Sequence, residues 1–336
     1  MNLKKVVAPV LILVLGIAIG YAARDVMLKE RTRNTFVERR EGEVNHINPL
    51  LECDIADNVL RNVELRPFQE KLEAFLNTRM DKRWASSVSV YFRELNDGLW
   101  FSIGETRKFV PASLRKVPLM ITLLKKAEQG KGERKGNALL DREVKFELSR
   151  DYNADQNIKP SQLMVPGRRY TVRDLIYRMI VYSDNNAFRL LTTVADPVDL
   201  GNIYATLRIQ NPAVTQDDDF LSVQTYASFF RILYNATYLN RESSDWALDL
   251  MSKSEFRAGL VEGVPPEVMV SHKFGEHSDA RDGTVQLHDC GIIYYPQHPY
   301  MLCVMSQGPN FEFLDDVIRE VSRITYSEVD EQHKKH

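Results

Sequence analysis

Residues 109–128 read FVPASLRKVPLMITLLKKAE, and this stretch decides how the rest of the chain is interpreted. Its apolar spacing predicts a helix from about Ala112 to Glu128. Ser113 opens that helix and Lys116 follows one turn later, so both side chains are expected on the same face. A serine hydroxyl is a weak nucleophile, and a lysine amine can act as its base when burial and positive neighbours lower the lysine pKa. Taken alone, the spacing is also explained by a capping serine and a solvated lysine.

Two further motifs lie downstream. Ser183-Asp184-Asn185 follows a helix predicted to end near Tyr182, and by itself it is explained as a helix cap with turn residues. Lys273-Phe274-Gly275 ends a predicted strand, where a lysine before a turn is an ordinary edge-strand residue. The order Ser-x-x-Lys, Ser-Asp-Asn, Lys-x-Gly, placed on a helix start, a helical connection and a strand, is the set of class A β-lactamases and penicillin-binding proteins.

The sequence therefore resembles the class A β-lactamase-like serine hydrolases, over roughly residues 65–326. Three stretches carry the resemblance: the one quoted above, YTVRDLIYRMIVYSDNNAFRLL at 170–191, and VSHKFGE at 270–276 with two strands and a helix after it. The resemblance implies the β-lactamase/transpeptidase-like fold and a serine acyl-enzyme intermediate. It also implies a β-lactam or a peptidoglycan stem peptide as substrate, and no cofactor.

The resemblance further assigns a catalytic set, which consists of Ser113, Lys116, Ser183 and Lys273. Ser113 is acylated, and Lys116 is its base or proton relay. Ser183 passes the proton to the leaving group, and Lys273 keeps the pKa of Ser183 low. The implied substrate-binding residues are Asn185, Gly275, Glu276 and Arg281. Among them, Asn185 binds the substrate amide, and the backbone N–H groups of Ser113 and Glu276 form the oxyanion hole.

The chain departs from the family pattern in the Lys-x-Gly motif. The middle residue is Phe274, where the family has a Thr or Ser whose hydroxyl helps to hold the substrate carboxylate. A phenyl ring cannot donate that hydrogen bond. Either Arg281 replaces this function or the substrate lacks the carboxylate.

A second departure concerns release of the acyl group. Class A β-lactamases activate the deacylating water with a Glu in a loop after Ser-Asp-Asn, but no Glu lies between Asn185 and Arg241. The acids in this interval are Asp196, Asp199, Asp217, Asp218 and Asp219, and the run of three is interpreted as a solvated acidic loop. The sequence therefore predicts acylation with weak deacylation.

Periodicity along the rest of the chain predicts an α+β fold. Helices are expected at 67–83, 112–128, 171–182, 186–194, 223–239, 243–252 and 311–324. Strands are expected at 87–93, 99–103, 268–274, 285–295 and 300–307. The simplest architecture is a five-stranded antiparallel sheet with the terminal helices on one face and an all-helical region inserted. We expect the hydrolase domain to span residues 65–326 and residues 327–336 to form a polar tail.

The N-terminus carries a membrane-targeting pattern. Lys4 and Lys5 precede an apolar run from Val6 to Ala23, long enough to span a hydrocarbon core. We expect residues 1–23 to be an uncleaved single-pass anchor that leaves the catalytic domain outside the cytoplasm, with residues 24–64 as linker and entry segment. A signal peptide cleaved after small residues such as Gly20 or Ala22 is the alternative.

Composition narrows the remaining possibilities. The net charge of −2 gives no footprint for nucleic acid. The seven histidines show no metal-ligand spacing, so no metal site is predicted. If residues 295 and 300 paired across a hairpin, Cys303 would lie diagonal to Cys290, too far for easy disulfide geometry. Both cysteines are therefore expected to be small buried hydrophobes.

Two other functions compete with a β-lactam- or peptide-directed acyl-enzyme. A serine esterase would use the same Ser–Lys pair, and a catalytically weak member would bind wall peptides or a partner protein. The altered Lys-Phe-Gly motif favours these alternatives, whereas the intact Ser-x-x-Lys and Ser-Asp-Asn motifs favour an enzyme.

Overall fold

The computed structural model describes residues 39–40, 46–47, 50–52, 65–79, 84–130, 138–147, 150–210 and 220–334. The chain divides into two units. The first comprises residues 1–42 and 49–58, and its described part is an antiparallel pair of β1 (Arg39–Arg40) and β2 (Leu50–Glu52). The second comprises residues 43–48 and 59–336 and holds all the other elements. The expected anchor at 1–23 lies outside the described residues, and no helix within them is both long and apolar enough to cross a membrane.

A five-stranded antiparallel sheet organises the second unit, as the sequence predicted. Its order is β4-β3-β9-β8-β7, so the last strands along the chain insert next to the first hairpin. The strands are β3 (Ser87–Glu94), β4 (Trp100–Ile103), β7 (Val270–Ser278), β8 (Val285–Ile293) and β9 (Tyr300–Gly308). A separate two-stranded ladder joins β5 (Glu143–Lys145) to β6 (Arg169–Thr171).

Eight α-helices occur among the described residues. They are α1 (Arg66–Arg79), α2 (Lys116–Gln129), α3 (Val172–Val181), α4 (Asn185–Val194), α5 (Pro197–Thr206), α6 (Val223–Tyr234), α7 (Arg241–Ser252) and α8 (Phe311–His333). Sequence signals set several starts: the Thr171 hydroxyl accepts from the Asp174 N–H at the start of α3, as the capping pattern predicted. Asp184 caps α4 in the same way.

The sheet is buried on both faces, which separates the core into two layers. One layer packs β3, β8 and β9 against α1 and α8, with Phe92, Val304 and Leu314 among its members. The other packs the opposite face, including Tyr91 and Met305, against the inserted helices. The alternation of side chains along each strand supplies both layers. The terminal helices therefore share one face and the helical region covers the other, as predicted.

The structure corrects the prediction for the two cysteines. Ile293 pairs with Tyr300, which places Cys290 directly opposite Cys303, and a disulfide joins them. The loop between β8 and β9 spans 294–299, two residues longer than expected. A register change of two keeps both side chains on the same face, so only the diagonal offset was wrong.

The end of one helix and the existence of another also differ from the prediction. Helix α8 continues to His333, so most of the expected tail at 327–336 is helical, and Val329 is buried one turn beyond Thr325. The Val321, Thr325, Val329 spacing carried this signal. Helix α5 was not predicted, although Asp196 caps it and Pro197 occupies its first turn, the usual start signal.

Candidate active site

Ser113 lies in a 3-10 turn, Ala112–Arg115, that leads directly into α2. Ala112 has a φ of 47°, a left-handed conformation that is uncommon for a residue with a Cβ. The turn is held from the inside, because the buried Tyr226 hydroxyl donates to Leu114 O at 3.2 Å. Such strained backbone is characteristic of functional sites and fixes where the Ser113 hydroxyl emerges.

Lys116 connects the first two sequence motifs. Its Nζ lies 2.9 Å from Ser113 Oγ, 3.0 Å from Ser183 Oγ and 2.7 Å from Ser183 O. The side chain is 1% exposed, so the ammonium group has exchanged water for these three oxygens. The lysine is therefore not the solvated residue that the spacing alone allowed.

Lys273 brings the third motif to the same point. Its Nζ donates to Ser183 Oγ at 2.9 Å and to Phe274 O at 2.9 Å, and the side chain is fully buried. A serine hydroxyl has two acceptor lone pairs and one proton. Each lone pair of the Ser183 hydroxyl can thus accept a hydrogen bond from one lysine. The proton of the Ser183 hydroxyl is then available to a third group.

Burial changes the proton affinity of both lysines. Desolvation lowers the pKa of Lys116 well below its ordinary value, and the positive charge of Lys273 lowers it further. Desolvation also lowers the pKa of Lys273 to about 7, although the carboxylates of Asp289 and Glu276 oppose the shift. A neutral amine is therefore accessible at Lys116 at a lower pH than for an ordinary lysine, and a general base requires that unprotonated form.

Gly275 lets β7 approach the nucleophile turn. A Cβ at this position would lie 3.1 Å from Pro111 O and 3.1 Å and 3.2 Å from the Cγ and N of Leu114. Those contacts are tighter than most real Cβ contacts, and two of the three involve backbone atoms. The glycine of the Lys-x-Gly motif thus favours close packing of the strand against the turn that carries Ser113.

A segment that the sequence pattern did not single out forms the opposite side of the cleft; residues 152–158 are called the 152–158 wall below. Asn153 Oδ1 accepts from the Asn185 N–H at 2.7 Å, and Asn153 Nδ2 donates to Asp184 Oδ1 at 2.9 Å. Gln156 Nε2 donates to Ser183 O at 3.0 Å. The wall therefore holds the Ser-Asp-Asn motif in place. Its only sequence signal was a density of Asn, Asp and Gln, residues that bond neighbouring backbone in loops.

A cleft of about 380 Å³ lies between the wall and β7, within the size range of small-molecule sites. Ser113 lies in its lining. Asn185 also lines the cleft, and its Nδ2 donates to Tyr152 O at 3.1 Å. The remaining lining residues are Tyr152, Asp155, Gln156, Asn157, Glu276, His277, Ser278 and Phe311.

Phe274 and the predicted substrate-binding residue Arg281 both lie away from the cleft lining. Phe274 stacks its ring on Phe256, with centroids 4.3 Å apart, and so belongs to the core behind the site. The Arg281 guanidinium is bound to the Asp279 carboxylate, at 2.9 Å and 2.7 Å, in the turn between β7 and β8. The structure thus does not bring Arg281 together with the other predicted residues.

The structure describes two of the five acids that were considered for deacylation. Asp196 Oδ1 caps α5 by accepting from the Val198 N–H, and Asp199 pairs with Lys126 at 2.7 Å. Both carboxylates are thus engaged at α5. Asp217, Asp218 and Asp219 lie outside the described residues.

A serine beside a buried lysine, on an antiparallel sheet flanked by helices, defines a serine hydrolase of the β-lactamase/DD-peptidase type. Residues 67–329 match the beta-lactamase enzyme family, and the chain belongs to that family. No curated protein matches the sequence significantly.

Solved structures share the fold at low sequence identity. The structure of PBP-A is 20% identical, with a TM-score of 0.65 over 80% of this chain and 97% of that one. A β-lactamase from Chitinophaga pinensis is 20% identical, with a TM-score of 0.63 over 78% of this chain and 98% of that one. The TLA-3 extended-spectrum β-lactamase is 17% identical, with a TM-score of 0.66 over 77% and 98%.

Replacing Lys116 by Ala is expected to reduce the acylation rate of Ser113 by about two to four orders of magnitude, the usual effect of losing a general base. In the wild type the rate should rise with pH and level off well below 10.5, the ordinary pKa of lysine, because the lowered pKa leaves Lys116 neutral there. Stopped-flow acylation across pH measures both effects. Lys126→Ala, on the same helix but paired with Asp199, is the matched control. A near-wild-type rate in Lys116→Ala would leave this lysine a structural role only.

Proposed function

We propose that this protein forms an acyl-enzyme through Ser113, acting on β-lactams or peptidoglycan-peptide-like amides, and releases the acyl group slowly. The observation that carries the proposal is the 2.9 Å separation of Lys116 Nζ and Ser113 Oγ in a buried setting that lowers the lysine pKa. A nucleophile within hydrogen-bond reach of a base is the basic requirement of covalent catalysis.

The contacts support a complete acylation step. Ser113 Oγ attacks the amide carbonyl while Lys116 Nζ accepts its proton, and backbone N–H groups of Ser113 and Glu276 stabilise the oxyanion. When the C–N bond breaks, the leaving nitrogen takes a proton from the Ser183 hydroxyl, which regains one from Lys116 at 3.0 Å. Lys273 favours proton loss from Ser183 by donating to its oxygen.

Deacylation is expected to be slow because water needs its own base. The two described acids between Asn185 and Arg241 cap a helix or pair with Lys126, and the interval contains no Glu. One of the similar structures is a variant of PBP-A as an acyl-enzyme complex with penicillin G. That likeness supports penicillin as a probe for this chain.

Two alternatives are separated by simple measurements. A serine esterase would turn over activated esters rapidly but not amides, because an amine is a poorer leaving group. A catalytically weak binding protein would bind wall peptides without forming an adduct. The buried and interconnected lysines favour an enzyme over a binding protein, because a binding site alone does not need a base of lowered pKa.

We also propose that residues 1–23 anchor the protein in the cell membrane and hold the catalytic domain outside the cytoplasm. The support is the sequence: an apolar run from Val6 to Ala23 follows two lysines. The disulfide between Cys290 and Cys303 agrees with an oxidising compartment.

Replacing Ser113 by Ala should abolish covalent labelling by a fluorescent penicillin and by a neutral activated ester. The hydroxyl is the attacking atom, and its removal leaves the turn and the lysines in place. Intact and peptide mass spectrometry locates the adduct. Ser278→Ala is the matched control, since Ser278 also lines the cleft but belongs to none of the three motifs. An adduct on any residue other than Ser113 would refute the assignment.

The penicillin acyl-enzyme is expected to persist far longer than that of a class A β-lactamase. Loss of an oriented water and its base raises the barrier by about 3–5 kcal/mol, a slowdown of about a hundred- to several-thousand-fold. Intact mass followed over time should show a burst and then slow release. Rapid multiple turnover of nitrocefin would contradict this expectation, and Asp217→Asn, Asp218→Asn and Asp219→Asn would be examined next.

Deleting residues 1–25 should yield a soluble, folded domain, because the family match begins only at residue 67. The full chain should sediment with membranes and resist extraction by alkaline carbonate. Fractionation and the mass of the mature chain provide the readout. A mature N-terminus near Tyr21 or Ala23 would instead identify a cleaved signal peptide.

A further inference from the structure

Glu276 extends across the cleft from β7 to the 152–158 wall. Its Oε1 and Oε2 lie 3.0 Å and 3.3 Å from the N–H of Ile158, and the N–H of Asn157 also donates to the carboxylate. The residue directly follows Gly275, which packs against the nucleophile turn. A substrate that reaches Ser113 along β7 must therefore pass or displace this carboxylate.

Little positive charge faces Glu276 from the surface of the cleft. Among the described residues that line it, none is Lys or Arg, and the other carboxylate, Asp155, is paired with Arg150. The nearby ammonium groups of Lys116 and Lys273 are buried beneath Ser113 and Ser183, and burial lowers the pKa of each. Arg281 is bound to Asp279.

The neighbouring position removes a further means of holding an anion. Phe274 precedes Gly275 on the same strand, and its ring is stacked in the core against Phe256. It presents no side-chain hydrogen-bond donor to the cleft. Strand β7 thus presents the Glu276 carboxylate to the cleft, and neither Phe274 nor Gly275 beside it supplies a side-chain hydrogen-bond donor there.

We propose that Glu276 makes this site selective for acyl donors that carry a neutral or cationic group, rather than a carboxylate, on the leaving-group side of the scissile bond. The inference rests on the proposed acylation of Ser113 and narrows its substrate class. A substrate carboxylate would approach a like charge in a partly desolvated cleft, where repulsion is screened less than in water. A neutral amide or ester avoids that repulsion. A cationic group can pair with the Glu276 carboxylate once the carboxylate releases its hydrogen bonds to the 152–158 wall.

Benzylpenicillin and its methyl ester provide matched probes, because they differ only in the carboxylate. For each protein the readout is the ratio of acylation rate constants, acid over ester, so intrinsic reactivity cancels between variants. Glu276→Gln keeps the backbone N–H and the length of the side chain, and its amide oxygen can still accept from Ile158. We expect Glu276→Gln to raise the ratio about tenfold or more, because it removes the like charge that the substrate carboxylate approaches.

Glu143→Gln is the control, since it makes the same charge change on β5, where Glu143 pairs with Arg169. A ratio within about twofold of wild type in Glu276→Gln, or an equal rise in Glu143→Gln, would overturn the inference while leaving acylation of Ser113 intact. No adduct on Ser113 with either probe would overturn the proposed function and this inference together.

Discussion

Two lysine side chains buried at one serine hydroxyl form the constraint on which the site depends. Lys116 Nζ and Lys273 Nζ lie 3.0 Å and 2.9 Å from Ser183 Oγ. Two buried ammonium groups that share one hydroxyl repel each other, and both have lost their hydration. A state in which both lysines are protonated is therefore unfavourable. The repulsion is relieved when one amine loses its proton. The packing thus favours a free amine at hydrogen-bond distance from the Ser113 hydroxyl.

This arrangement requires three distant segments to meet within hydrogen-bond distance. The turn before α2 supplies Ser113 and Lys116, the connection from α3 to α4 supplies Ser183, and β7 supplies Lys273. Gly275 allows the strand to approach the turn, and the 152–158 wall fixes the connection through Asn153. Ser183 itself has a φ of 52°, a conformation that its surroundings must hold in place. The order of the sheet, with β7 at its edge, leaves this strand open to the cleft.

The motifs and the sheet could be predicted because each depends on local pattern. Alternating apolar residues in β3 and the apolar runs of β8 and β9 specify buried strands, and three ordered motifs specify which elements converge. The 152–158 wall could not be predicted, because its role lies in long-range side-chain bonds to Asp184 and Asn185 rather than in periodicity. The Cys290–Cys303 pairing depended on the length of the loop between β8 and β9, and a shift of two residues in the register decides whether the two cysteines lie opposite each other. The position of Arg281 depended on a turn in which Asp279 is the nearer partner.

The departures from the family pattern leave the groups that acylation requires in place, and this separates the chemistry of acylation from substrate recognition and release. The groups that move protons, on α2 and before α4, keep the residues and distances that acylation requires. The strand side retains Lys273, which donates to Ser183, and Gly275, which packs against the nucleophile turn, but has Phe274 where the family has a hydroxyl. A chain that had lost its catalytic role would have no reason to keep two buried lysines, whose desolvation destabilises the fold unless they are paired. The site keeps both lysines and differs in the Lys-x-Gly motif of β7. This combination is more consistent with an altered substrate preference than with a loss of activity.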